Sequence, residues 1–157
     1  MRKRILDPIL PEGSQPTDEW LDLDTLADVE VTSEEASHPI ESALLPNRGT
    51  GWIAAGPGPQ VVRLLFQRPQ QVRRIWLTFS DAETERTQEF TLRWSSDAGQ
   101  TFQDIARQQW NFSPRGSVCE SEDYRVDLPA VVVLELTIVP DIGGGSARAC
   151  LAEWRVA

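Results

Sequence analysis

The chain has 157 residues, of which 40% are hydrophobic, and a formal net charge of −9. That suits one domain with a proper core and excludes an array of four-stranded blades. The acidity is uneven: residues 1–45 hold 11 of the 24 Asp and Glu against Arg2, Lys3 and Arg4, whereas residues 46–157 hold 13 against 12 arginines. Neither a general nucleic-acid surface nor a membrane span is expected from this pattern.

In chain order, residues 1–25 read as an irregular acidic lead-in, broken by Pro8, Pro11 and Pro16 and without a sustained period. "MRKR" is a basic start, but Asp7, Pro8 and Pro11 interrupt the run behind it before an apolar core of secretory length accumulates. The expected location is therefore cytoplasmic. From residue 26 onward the chain reads as one β domain. A strand is predicted at 28–33, then one helical turn at 38–45 with Pro39 at its start. Further strands are predicted at 60–66, 72–79, 88–94, 101–106, 123–128, 130–139 and 148–156, each short, rich in β-branched or aromatic residues and bounded by turn residues. This is the signature of an all-β antiparallel sandwich or barrel. Residues 141–147, "DIGGGSA", read as a flexible connection, since they lack the lysine and the strand-to-helix setting of a phosphate cradle.

Within these strands the faces can be assigned by alternation. Ile75, Leu77 and Phe79 share one face, so Trp76 points to the other, as an interaction patch or as a seat for the lead-in through Trp20 or Leu21. Trp94 shares a face with Phe90 and Leu92, and Trp154 with Val156. "SSDAGQTF" at 95–102 reads as a tight hairpin in which Asp97 accepts backbone N–H groups, Gly99 takes a positive φ and Phe102 returns to the core. The same S-x-D-x-G-x-T-F pattern recurs in the blades of sialidase-type propellers, but one copy in a chain of this length cannot build that scaffold. Cys119 and Cys150 lack the spacing of a zinc site and are expected to remain thiols.

Four segments, in order, carry a resemblance: "VTSEEASHPIESALLPNRGTGW", "QVVRLLFQRPQQVRRIWLTF", "RWSSDAGQTFQDI" and "VVVLELTIVPDIGGGSARACLAEWRV". Over residues 28–157 they resemble the coagulation-factor type C, or discoidin, domains. The resemblance implies a galactose-binding-domain-like jelly-roll β-sandwich, with Trp52 as a core anchor, whose members bind sugars, lipids, proteins or nucleic-acid ends without doing chemistry. Many members hold Ca²⁺ with the loop before the anchor tryptophan and the glutamate of the closing strand. Here Leu45-Pro46-Asn47 replaces the usual Asp-Gly-Asp, while Thr50 and Glu153 match. With carboxylates lost no cofactor is expected; if calcium were bound, Asn47, Thr50 and Glu153 would hold it, and otherwise Glu153 is free to pair with an arginine such as Arg48.

No catalytic constellation is recognisable. His38 is the one histidine and accompanies no nucleophile motif. The expectation is a non-catalytic module binding carbohydrate through loops at one end of the sandwich; the alternative is a protein-interaction or assembly module on the same fold. Sugar C–H faces stack on aromatic rings while planar polar groups meet the hydroxyls. Trp110, Asn111 and Arg115, in a loop expected at 107–123, are the candidate ligand residues, joined by Arg48 and His38 from a neighbouring loop. The other reading of that loop has Trp110 and Phe112 closing the core and Arg115 solvated.

Overall fold

The computed structural model describes residues 20–157. The lead-in expected over 1–25 therefore lies mostly outside the described residues. Where it is described it is not irregular: Leu21 N–H donates to the carbonyl of Val156 at 2.7 Å, and Asp22 caps a helical turn, α1 (Leu23–Leu26), whose Leu23 is buried. Leu23, before residue 26, thus supplies apolar surface to the core.

Eight strands follow: β1 (Ala27–Val31), β2 (Trp52–Pro57), β3 (Gln60–Ser80), β4 (Arg86–Ser95), β5 (Gln103–Phe112), β6 (Cys119–Val139), β7 (Arg148–Leu151) and β8 (Glu153–Val156). A second helical turn, α2 (Glu41–Leu44), lies between β1 and β2. All strand pairs are antiparallel, in the order β1-β3-β6-β4-β5, with β8 on β3 and a separate β2-β7 pair. This is the expected all-β antiparallel sandwich.

The departures from the sequence reading have local causes. The strands expected at 60–66 and 72–79 are one strand, β3, and those at 123–128 and 130–139 are one strand, β6. Pro69 and Pro129 suggested turns. Instead they lie where the β3–β6 register slips, between Leu65 and Val72, and a bulge needs no ladder N–H from proline. There β3 and β6 bend from one layer into the other, so that Phe79, on the far half of β3, stacks on Phe90 of β4 with ring centroids 5.1 Å apart.

Conversely, the strand expected at 148–156 breaks at Ala152. β7 pairs β2 while β8 pairs β3, and Ala152 N–H donates to the carbonyl of Thr78 at 2.8 Å. β2, hidden in the glycine-rich "GWIAAGPG", was not anticipated. Gly51 opens it at φ +101, where a Cβ would meet the Leu151 carbonyl oxygen at 2.7 Å, so only glycine lets the two strands approach.

The core is continuous, with Trp52, Trp154, Phe79, Phe90 and Phe112 almost wholly buried. Trp52 Nε1 donates to the Ser33 carbonyl at 3.0 Å, which fixes β1's exit over the anchor ring. The alternation reading of β3 holds: Ile75, Leu77 and Phe79 are buried, and Trp76 faces outward. The Arg74 guanidinium lies 4.8 Å from the Trp20 ring and 5.8 Å from that of Trp76, so the start of the described chain sits on this outer face.

The hairpin at 95–102 closes as expected, with Asp97 Oδ1 accepting from Thr101 N–H at 2.8 Å and Ser95 Oγ at 2.7 Å, and Gly99 at φ +88. Phe102 does not return to the core. Its ring lies 4.3 Å from the Arg93 guanidinium on the outer face, because β5 resumes only at Gln103 and the residue before it is still on the hairpin's exposed side. Cys119 and Cys150 are free thiols. Among the described residues no helix is long and apolar enough to cross a membrane.

Candidate functional site

Four connections gather at one end of the sandwich: 32–40 after β1, 81–85 between β3 and β4, 113–118 between β5 and β6, and 140–147 between β6 and β7. Arg86, the first residue of β4, ties two of them, 81–85 and 140–147, together. Its buried guanidinium donates to Asp81 Oδ2 at 2.8 Å, to the Pro140 carbonyl at 2.7 Å and to Cys150 Sγ at 3.3 Å, and it lies over the Phe112 ring at 4.5 Å. One cation thus joins two loops to the ends of β5 and β7. Burial pushes the Cys150 thiol up, so it acts here as a neutral hydrogen-bonding group, donating to the Ser80 carbonyl.

On this scaffold the 32–40 connection presents a chain of planar and hydroxyl groups. Arg148 Nη1 donates to Glu35 Oε2 at 2.8 Å, Ser37 Oγ donates to Glu35 Oε1 at 2.8 Å, and His38 Nδ1 lies 3.0 Å from Ser37 Oγ. The Ser37 hydrogen bond and, after it, the Arg148 contacts hold the Glu35 carboxyl below its ordinary value despite some opposing desolvation, so it is an anion at neutral pH. Arg148 also reaches the Ala54 carbonyl at 3.4 Å, which anchors it over β2. Because Ser37 spends its proton on Glu35, the Ser37–His38 contact is not an activated nucleophile–base pair.

The residues singled out from sequence fall into separate places. His38 belongs to this chain of groups. Asn111 is exposed at the same end: its Oδ1 accepts from Thr87 Oγ1 at 2.7 Å, and the Thr87 carbonyl accepts from Ile142 N–H at 2.9 Å at the start of the 140–147 loop. Arg115 is exposed in the turn 113–118. Trp110 is not in a loop. The loop expected at 107–123 is largely strand, since β5 continues to Phe112 and β6 begins at Cys119, with Trp110 opposite Gln88 in the ladder. Its ring is half-buried against the core, and its indole N–H is buried without a partner among the described residues. Polar residues Arg107, Gln108 and Gln109 suggested a loop, but on an edge strand they are the exposed positions. Arg48 lies on the α2–β2 connection, where its carbonyl accepts from Ser42 Oγ at 2.7 Å.

Of the three residues considered for calcium, Asn47 and Thr50 lie on the α2–β2 connection and Glu153 opens β8. Asn47 takes φ +61, Thr50 is exposed, and Glu153 pairs with Arg155 at 3.2 Å, not with Arg48. Among the described residues no three His, Cys, Asp or Glu side chains converge.

Sequence reasoning missed Glu35, Arg86 and Arg148. Glu35 stood beside His38 in "SEEASHP", a local signal. Arg148 had none, since its partners Ala54 and Glu35 lie 94 and 113 residues away, and of the Arg86 contacts that join separate elements only Asp81 is near in sequence.

No family model and no curated protein matches the chain. Solved structures do. The C-terminal domain of a chitobiase from Bacteroides fragilis superposes with a TM-score of 0.64 at 19% identity, covering 88% of this chain and 96% of that one. A family 32 carbohydrate-binding module from Clostridium perfringens, in complex with GalNAc-β-1,3-galactose, gives 0.63 at 18% identity over 87% and 98%. The family 32 module of NanJ from C. perfringens, in complex with galactose, gives 0.61 at 18% over 83% and 92%. The fold is that of these modules.

Proposed function

We propose that this domain is a non-catalytic carbohydrate-binding module that takes neutral sugar hydroxyls at the loop end. The observation that carries the reading is the Arg148–Glu35–Ser37–His38 chain, which offers donors and acceptors in fixed positions on a scaffold tied by Arg86. A pyranose needs such groups for its hydroxyls and an apolar surface for its C–H face. Ile142, 51% exposed on the 140–147 loop, is the large apolar side chain most open to solvent among the described residues and supplies such a surface at this end. Asn111 joins this surface through Thr87, which bonds both Asn111 and the Ile142 N–H. The neighbours of the same fold, crystallised with galactose and with GalNAc-β-1,3-galactose, set the class of ligand to try first.

The test is a glycan array with the wild-type chain, Glu35→Ala and Arg148→Ala, alongside their melting curves. Expected is binding to galactose- or GalNAc-terminated glycans that both variants lose while melting within a few degrees of wild type, since both side chains are partly exposed. A wild-type chain that binds no glycan, or variants that bind as well as wild type, would overturn the assignment.

A further inference from the structure

A concave site lies on the flank, away from the loop end. It is a cleft of about 480 Å³ between Trp20, the α2–β2 connection at Leu45 and Pro46, and the outward-facing Trp76, Glu153 and Arg155. This volume is within the range of about 300–1,000 Å³ usual for small-molecule sites.

Its chemistry narrows the ligand. The Trp20 and Trp76 rings give apolar faces, and Trp76 Nε1 is already committed to Thr78 Oγ1 at 2.9 Å, which fixes the indole plane. The cations are committed as well. Arg74 donates to both oxygens of Asp123 at 2.9 and 3.0 Å and sits against both rings, and Arg155 pairs with Glu153 while donating to the Ala43 carbonyl at 2.9 Å. An anionic ligand would have to displace a carboxylate. A cationic one would meet guanidinium where the aromatic faces already hold a positive charge. What remains is a neutral molecule with an apolar face and hydroxyl or amide edges. Glu153, with 42% of its side chain exposed, can accept from a hydroxyl without breaking its pair.

We infer that the Trp20–Trp76–Glu153 cleft is a second carbohydrate site, taking a single neutral pyranose, so that the module is bivalent. The inference rests on the sugar-binding reading above but uses none of the same residues. Two sites on different faces would let one domain hold a branched or repeated glycan, raising its apparent affinity by effective concentration.

The six indole N–H signals of the full chain provide the assay, read in ¹H–¹⁵N spectra during titration with galactose, N-acetylgalactosamine, glucose, galacturonate and choline. Expected are shifts of the Trp20 and Trp76 signals with a neutral sugar, retained in Glu35→Ala and weakened about tenfold or more in Glu153→Ala and Trp76→Ala, the size of one stacking or hydrogen-bonding contact. Glu153→Ala guards against a folding defect in Trp76→Ala. Sugar binding that moves neither signal and disappears in Glu35→Ala overturns the second site and leaves the loop-end reading standing. Galacturonate or choline shifting these signals in place of the neutral sugars overturns the ligand class. No response to any sugar, with no binding on the array, overturns both.

Discussion

Glu120 and Glu122 stand two residues apart on β6, on its inward side, with their carboxyl groups against one another; burial, and then this second carboxyl, pushes the Glu120 acid up to about 8. Glu120 Oε2 is buried without a hydrogen-bond partner among the described residues, and beside a second carboxyl the neutral acid is favoured over the anion. Gln88 donates its amide to Glu120 Oε1 at 3.3 Å but cannot neutralise a charge. Burial, with these same two carboxylates, also pushes the neighbouring Tyr124 phenol up, so it stays protonated.

The pH dependence follows from the sign of that shift. An acid of about 8 in the folded state and 4.5 unfolded binds its proton more tightly when folded, so stability falls as pH rises through this interval and stays low above 8. Glu120→Gln keeps the shape without the charge. It should be more stable than wild type by roughly 1–3 kcal/mol at pH 9, the cost of an ill-paired buried polar group, with the gap closing toward pH 4.5. Melting temperatures of both proteins across pH 4–9 check this; parallel curves would refute it.

Across the five strands of the main layer, Glu30, Arg63, Glu135, Arg93 and Asp104 align in register with alternating charge. Arg63 Nε meets Glu135 Oε2 at 2.7 Å, and Arg93 bonds the other oxygen. Burial raises the Glu135 acid, but the two arginines outweigh it and hold the carboxyl below its ordinary value. The Glu135 side chain is 3% exposed and those of Arg63 and Arg93 are 44% and 38%, so the two kinds of truncation are unequal. Removing both arginines strands a buried carboxylate and should cost roughly 3–5 kcal/mol; Glu135→Met leaves cations that reach water and should cost under about 2 kcal/mol. Urea unfolding of the two variants tests the order.

For the hairpin, the Ser95 and Thr101 hydrogen bonds hold the Asp97 acid down at about 2 against an ordinary 3.8. A depressed carboxyl contributes order that is present above its unfolded value and lost as pH falls through the folded one. NMR titration should give Asp97 the low value, and Asp97→Ala should speed amide exchange at Gly99 and Thr101. An Asp97 that titrates near 3.8 would contradict these hydrogen bonds.

Trp110 distinguishes packing from ligand contact. Its half-buried ring packs on the core, so Trp110→Ala should destabilise by about 3 kcal/mol, the lower end for aromatic truncations. Trp110→Phe keeps most of the ring and drops the unpartnered N–H, and should cost clearly less. Thermal unfolding with a parallel glycan titration reads both. Unchanged stability with lost sugar binding in Trp110→Ala would return this ring to the ligand site.

How far the sequence alone reaches can be seen in single residues. The inward face of Ile75, Leu77 and Phe79, the outward turn of Trp76 and the Ser95–Thr101 hairpin were legible because each depends on neighbours within a few residues, through period-two alternation or local turn chemistry. Phe102 was misplaced because alternation runs only within a strand, and it stands just outside β5. Pro69 and Pro129 looked like ends because local propensity cannot say that a strand bends at a bulge and continues. The site lay further out of reach. Glu35 meets Arg148 from 113 residues away, and Arg86 meets Pro140 from 54, through the order of strands and the register between them. Outward positions on a strand are chemically alike to a sequence pattern. Which become a charge ladder, a loop-end cluster or the wall of a cleft was decided only by tertiary pairing, since hydrogen bonds and ion pairs act over about 3–4 Å and specify partners that burial periodicity does not.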